Sequence, residues 1–129
     1  MLLVDTSVWV ELFRKGSSLR PDKAFPIEEA VTCLPVLQEV LQGFREEAAF
    51  RAAREAMLAL PAVESPLGWP VYERAVELYR QARRQGLSPR SAVDCLIAAC
   101  ALRHDLTVLH RDRDYSLLAR VSGLKERSV

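Results

Sequence analysis

Short apolar runs, each followed closely by a segment with helix-starting chemistry, recur along this 129-residue chain. Leu2-Leu3-Val4 leads into Asp5-Thr6-Ser7, which offers N-cap oxygens. A helix is expected to run on through Val8, Trp9, Leu12 and Phe13 and to break at Gly16-Ser17-Ser18. Val31-Thr32-Cys33 predicts a second buried strand, and Pro35 suits the first turn of a helix carrying Val36, Leu37, Val40, Leu41 and Phe44. Ala49, Phe50, Ala53, Met57 and Leu60 mark one face of the next helix, which ends before Pro61. Ala62-Val63 predicts a third strand. A long amphipathic helix from Trp69 to Arg84 is expected to bury Tyr72, Ala75, Val76, Tyr79 and Ala82. Ser91 can cap a helix from Ala92 to Arg103, and Leu106-Thr107-Val108-Leu109 is the clearest strand. A short helix from Asp112 to Ala119 and a frayed or strand-like tail complete the pattern.

Strand–helix alternation of this kind predicts a three-layer α/β/α arrangement, with a short central parallel sheet flanked by helices. The expectation is one domain over residues 1–129, a length at which folding buries roughly two-thirds of the chain's exposed surface. The longest run free of charge, Ala30 to Gln38, is nine residues. A spanning helix needs about 18 or more, so no membrane association is expected. Three cysteines (Cys33, Cys95, Cys100) without a CxxC pair argue against a disulfide framework, and the N-terminus lacks the signature of a secretory signal. A cytoplasmic setting follows as the expectation. The 18 Lys and Arg against 17 Asp and Glu exclude the large basic excess of many nucleic-acid binders. All but three of those cations are arginines, which suit bidentate phosphate contacts.

In open parallel sheets, ligands sit at the carboxyl ends of the strands near a topological switch point, so the residues after each strand carry the functional information. Asp5 follows the first strand, and Asp112 comes three residues after the fourth, within His110-Arg111-Asp112-Arg113-Asp114. Each could simply cap a helix. Asp94 is harder to explain that way. It is the only charge in SAVDCLIAACAL, on a helix apolar nearly all round and therefore central. An uncompensated buried carboxylate costs several kcal/mol, so Asp94 must be paired, capped or bound to a cation. A capping box with Ser91 is the structural alternative. Glu39 flanks the apolar arc of its helix, where periodicity makes it a solvated residue beside Gly43. No dinucleotide fingerprint, Walker loop or GxSxG elbow is present, and Asp5-Thr6-Ser7 lacks the second aspartate of a DxD nucleophile motif. His104 and His110 form no HxxxH pair; they are expected at a helix end and a cleft edge.

Taken in order, LLVDTSVWVELF, LPVLQEVLQGF, SAVDCLIAACAL and TVLHRDRDY resemble the PIN-domain family, and more narrowly the VapC-type toxin ribonucleases of toxin–antitoxin pairs. The likeness spans essentially the whole chain. It implies that Asp5, Glu39, Asp94 and Asp112 are the catalytic, metal-binding carboxylates, with Asp114 a further acidic position of the same loop and Ser7 lining the site. Asp114-Tyr115 stands where Asp-Phe is more usual, a change expected to be mild.

The implied cofactor is Mg²⁺, with Mn²⁺ able to substitute, since oxygen-only ligands select hard cations. The implied reaction is hydrolysis of an RNA phosphodiester to a 5′-phosphate and a 3′-hydroxyl. Arg111 and Arg113, with Arg90 and Arg45, are candidate phosphate contacts. The implied partners are an RNA substrate, a cognate VapB-type antitoxin and a second copy of the chain. A housekeeping nuclease of RNA processing or decay, or an inert RNA- or protein-binding module, are the alternatives.

Overall fold

Five short parallel strands set the frame in the computed structural model, which describes residues 1–129. They are β1 (Leu2–Val4), β2 (Ala30–Cys33), β3 (Ala62–Val63), β4 (Thr107–His110) and β5 (Lys125–Ser128), in the order β3-β2-β1-β4-β5. Seven helices connect them: α1 (Thr6–Phe13), α2 (Pro21–Ala24), α3 (Leu34–Gln42), α4 (Glu47–Leu58), α5 (Trp69–Arg84), α6 (Ala92–Arg103) and α7 (Asp114–Arg120). The chain steps outward from β1 to β2 and β3, then crosses over to β4 and steps the other way to β5. Right-handed crossovers in opposite directions place helices on both faces, giving the expected α/β/α layering.

The switch point lies between β1 and β4, whose register pairs Leu2 with Thr107, Leu3 with Val108 and Val4 with Leu109. The Asp5 N–H extends that ladder to the Leu109 carbonyl at 2.9 Å, so Asp5 stands directly beside the exit of β4. Leu3, Val4, Val108 and Leu109 are wholly buried, as strands covered on both faces require. Packed on them, α6 buries Asp94, Cys95, Ile97 and the run Ala98 to Ala101. Its small side chains let the flanking α5 approach closely.

Several expectations shift. The α5 face is rotated: Val71, Ala75, Leu78 and Ala82 are buried, whereas Tyr72 and Val76 are 42% and 51% exposed. Two apolar stripes share Ala75 and Ala82 on this helix. Packing against α6 selects the aliphatic one, with Tyr79 only partly buried at its edge. β4 begins one residue later than predicted and includes His110. α7 starts at Asp114 rather than Asp112, because the Asp112 carboxylate takes up the Asp114 N–H at 3.0 Å. The tail is a strand, β5, running parallel to β4 from Thr107–Lys125 to His110–Ser128. Pro21–Ala24 and a 3₁₀ turn at Ile27–Glu29 occupy a segment for which periodicity predicts no element.

Candidate metal centre at the strand ends

Asp5 does what its position predicts and more. As N-cap of α1, its Oδ2 accepts the Ser7 N–H at 3.0 Å and the Ser7 hydroxyl at 2.5 Å. Its Oδ1 accepts the Tyr115 hydroxyl at 2.5 Å, and the carboxylate is 3% exposed. Ser7 Oγ accepts in turn from the Arg111 N–H at 3.0 Å, tying the start of α1 to the loop after β4. Capping and membership of the acidic rim are compatible, since each uses a different oxygen.

Asp94 lies in the first turn of α6. Ser91 Oγ accepts from the Val93 and Asp94 N–H groups at 3.2 and 3.3 Å, but no bond returns from the Asp94 side chain to Ser91. Half of the capping box therefore forms, and the carboxylate turns to the rim. There oxygens of Asp94, Asp112 and Asp114 lie within 4.8 Å of one another. Burial pushes the Asp94 carboxyl up to about 7, and the charges of Asp5, Asp112, Asp114 and Glu39 act in the same direction.

The loop after β4 is held amide by amide. His110 lines the cleft at this loop but is itself buried. Its Nδ1 accepts from the Asp112 N–H at 3.1 Å and its Nε2 meets Glu126 Oε2 at 2.5 Å, which assigns the ring proton to Nε2. β5 thereby braces the loop from below. Asp114 is 1% exposed; its Oδ2 accepts the Arg90 N–H at 2.8 Å, and its buried Oδ1 has no hydrogen-bond partner. The Arg90 guanidinium reaches Asp112 Oδ1 at 3.2 Å and approaches Asp114 Oδ1 to 3.6 Å.

Glu39 is half-buried and accepts the Thr6 hydroxyl at 2.8 Å. Periodicity predicts a solvated residue; the first turn of α1, through Thr6, reaches it instead. It stands at the edge of the rim, joined to Thr6 and to none of the aspartates. Arg111 directs its guanidinium to Glu11 at 3.7 Å, while Arg113 is exposed without an ion pair. Both line a polar cleft of about 300 Å³ with His110, Asp112 and Ser116. Arg45 is exposed beyond the end of α3.

Tyr115 adds a hydroxyl to the acidic rim that spacing alone does not place there. Its ring is fully buried against His110, with centroids 5.1 Å apart, and its hydroxyl sits 3.4 Å from Asp94 as well as bonded to Asp5. Burial, with the charges of Asp5 and Asp94, raises the phenol well above its ordinary range, so it is a proton donor at neutral pH. Tyrosine in place of the more usual phenylalanine is the signal in the sequence, and it places one extra oxygen among the carboxylates.

The donor set suits a hard divalent ion. It is all carboxylate, it crowds like charges, and it leaves the buried Asp114 Oδ1 without a donor. The PIN-domain family model matches residues 2–123. VapC ribonuclease Mb1587 of Mycobacterium bovis and ribonuclease VapC11 of Mycobacterium tuberculosis are each 36% identical, over 99% of this chain and 98% of theirs. Among solved structures, VapBC2 from Rickettsia felis bound to a promoter DNA fragment superposes with a TM-score of 0.78 at 16% identity, covering 99% of this chain and 98% of that one. VapBC-5 from Mycobacterium tuberculosis gives 0.73 at 20%, with the same coverage. A family model spanning nearly the whole chain, and relatives matched end to end, agree with the strand order and the acidic rim: the chain belongs to the PIN-domain family.

Proposed function

We propose that this chain is a metal-dependent endoribonuclease, the toxin of a VapBC-type toxin–antitoxin pair, built as a single domain and working in the cytoplasm as a homodimer. The observation that carries the reading is the convergence of Asp94, Asp112 and Asp114 beside Asp5, with one buried carboxylate oxygen unpaired. End-to-end similarity to named VapC ribonucleases supports RNA as the substrate. Toxin–antitoxin complexes among the structural neighbours support an antitoxin partner. Trp69, Tyr72 and Val76, exposed along α5, supply apolar surface for a second copy.

In this reading Asp94, Asp112, Asp114 and Asp5 hold Mg²⁺ or Mn²⁺, and Glu39 completes the set from the edge of the rim. Bound there, the ion supplies Lewis-acid charge for the scissile phosphate and for the attacking water. Ser7 and Tyr115 orient Asp5, His110 holds the Asp112 amide, and Arg111 and Arg113 engage the RNA backbone at the cleft.

Incubating the purified protein with RNA in Mg²⁺, Mn²⁺ or EDTA tests the activity. Cleavage is expected only with an ion, and Asp94→Asn should abolish it. Equal cleavage in EDTA by both proteins would rule the reading out. Metal binding to the native state alone should also raise stability by about 2.7 kcal/mol at a hundredfold excess over Kd. Thermal melts with EDTA and then Mn²⁺ read that directly.

A further inference from the structure

Arg90 sits where a cation is wanted. Its main chain is fixed: the N–H donates to the buried Asp114 Oδ2 at 2.8 Å, and the next residue, Ser91, caps α6. Its side chain is not fixed in the same way. It is 63% exposed, and its polar contacts are the 3.2 Å approach to Asp112 Oδ1 and the 3.6 Å approach to Asp114 Oδ1. The second is too long to satisfy that oxygen, which keeps its lone pairs free. Charge is therefore supplied to two members of the acidic cluster while an acceptor stays open between them.

We propose that Arg90 is the resident counter-ion of the acidic cluster, holding Asp112 and Asp114 in the metal-free protein and giving way when a divalent ion binds. The proposal rests on the metal-dependent reading above and adds competition to it. The same two oxygens cannot serve a guanidinium and a divalent ion without placing like charges side by side. The side chain can leave at little cost because most of it already faces solvent, whereas the backbone bond to Asp114 persists. Arg90 is thus a positioning residue: it limits repulsion among the carboxylates before metal arrives and sets the threshold for metal entry.

The test is calorimetric titration of Mn²⁺, without RNA, into metal-stripped wild type, Arg90→Gln and Arg113→Gln, with melts of each in EDTA. Arg90→Gln keeps the backbone N–H and should fold. It should melt lower than wild type in EDTA yet bind Mn²⁺ about tenfold more tightly, within the usual range for coupled ligands. Arg113→Gln removes a charge from the same rim without touching a carboxylate and should change affinity far less. Unchanged or weaker Mn²⁺ binding by Arg90→Gln overturns the proposal, as does equal tightening by Arg113→Gln. Absence of Mn²⁺ binding by wild type removes the metal reading itself, and this one with it.

Discussion

The acidic rim has two halves that manage charge differently. On one side Asp5 and Glu39 are tethered by neutral hydroxyls, Asp5 by Ser7 and Tyr115 and Glu39 by Thr6. On the other, Asp94, Asp112 and Asp114 crowd one another, relieved by one exposed guanidinium, two backbone amides and a long 3.4 Å bond from the Tyr115 hydroxyl to Asp94. The tethered half is oriented in advance and costs little when no metal is bound, because each carboxylate has donors. The crowded half is where a cation is gained or lost, because three like charges share one small volume. Preorganisation and affinity are thus divided between the two sides of the β1–β4 switch point.

The largest effect should come from breaking the crowded half. A carboxyl raised to about 7 from its usual 3.8 keeps its proton in the folded protein between those values, while the unfolded chain has lost it. Its contribution to stability is therefore fully present below about pH 4 and is lost as pH rises through 7, a change of up to about 4 kcal/mol. In EDTA, Asp94→Asn should match wild type near pH 4 and become progressively more stable than it toward pH 8. Urea midpoints at several pH values check this, and a difference that stays flat with pH would place Asp94 outside the crowded group.

Tyr115→Phe tests the tether. The ring and its packing on His110 remain, but Asp5 Oδ1 loses its donor inside the protein. Stability in EDTA should fall by about 1–3 kcal/mol, the cost of leaving a buried acceptor unpaired. The denaturant slope should not change, since the surface exposed on unfolding is the same.

Glu39→Gln should be nearly silent in stability, within about 0.5 kcal/mol, because an amide oxygen still accepts from Thr6 on this half-exposed side chain. Cleavage should nevertheless drop at least tenfold, since a neutral amide cannot serve the metal as a carboxylate does. Stability and cleavage falling together would make Glu39 a structural residue and leave the crowded half to act without it.

Much of this was legible along the chain. Apolar runs alternating with helix starts foretold a parallel sheet, and its switch-point logic directed attention to Asp5 and Asp112. Asp94 stood out because a single charge in an otherwise apolar helix demands compensation. Two acidic residues were harder to place: the periodicity of α3 left Glu39 on a solvated flank, and Asp114 read as one more loop acid. Only contact with α1 half-buries the first, and only the Arg90 loop closing over α7 buries the second.

What the sequence by itself determined, then, is the order of elements and the identity of the carboxylates that end its strands. Backbone preferences and burial periodicity act over a few residues, so they can be read locally. Tertiary structure alone decided which stripe of α5 turns inward, that Glu126 braces His110, that the Tyr115 hydroxyl enters the acidic group, and that Arg90 lies across Asp112 and Asp114. Apart from the α5 stripe, which depends on the helix packed against it, these are pairings between side chains 16 to 110 residues apart. They form because packing five strands and seven helices around one core brings distant groups side by side, a constraint that no local pattern encodes.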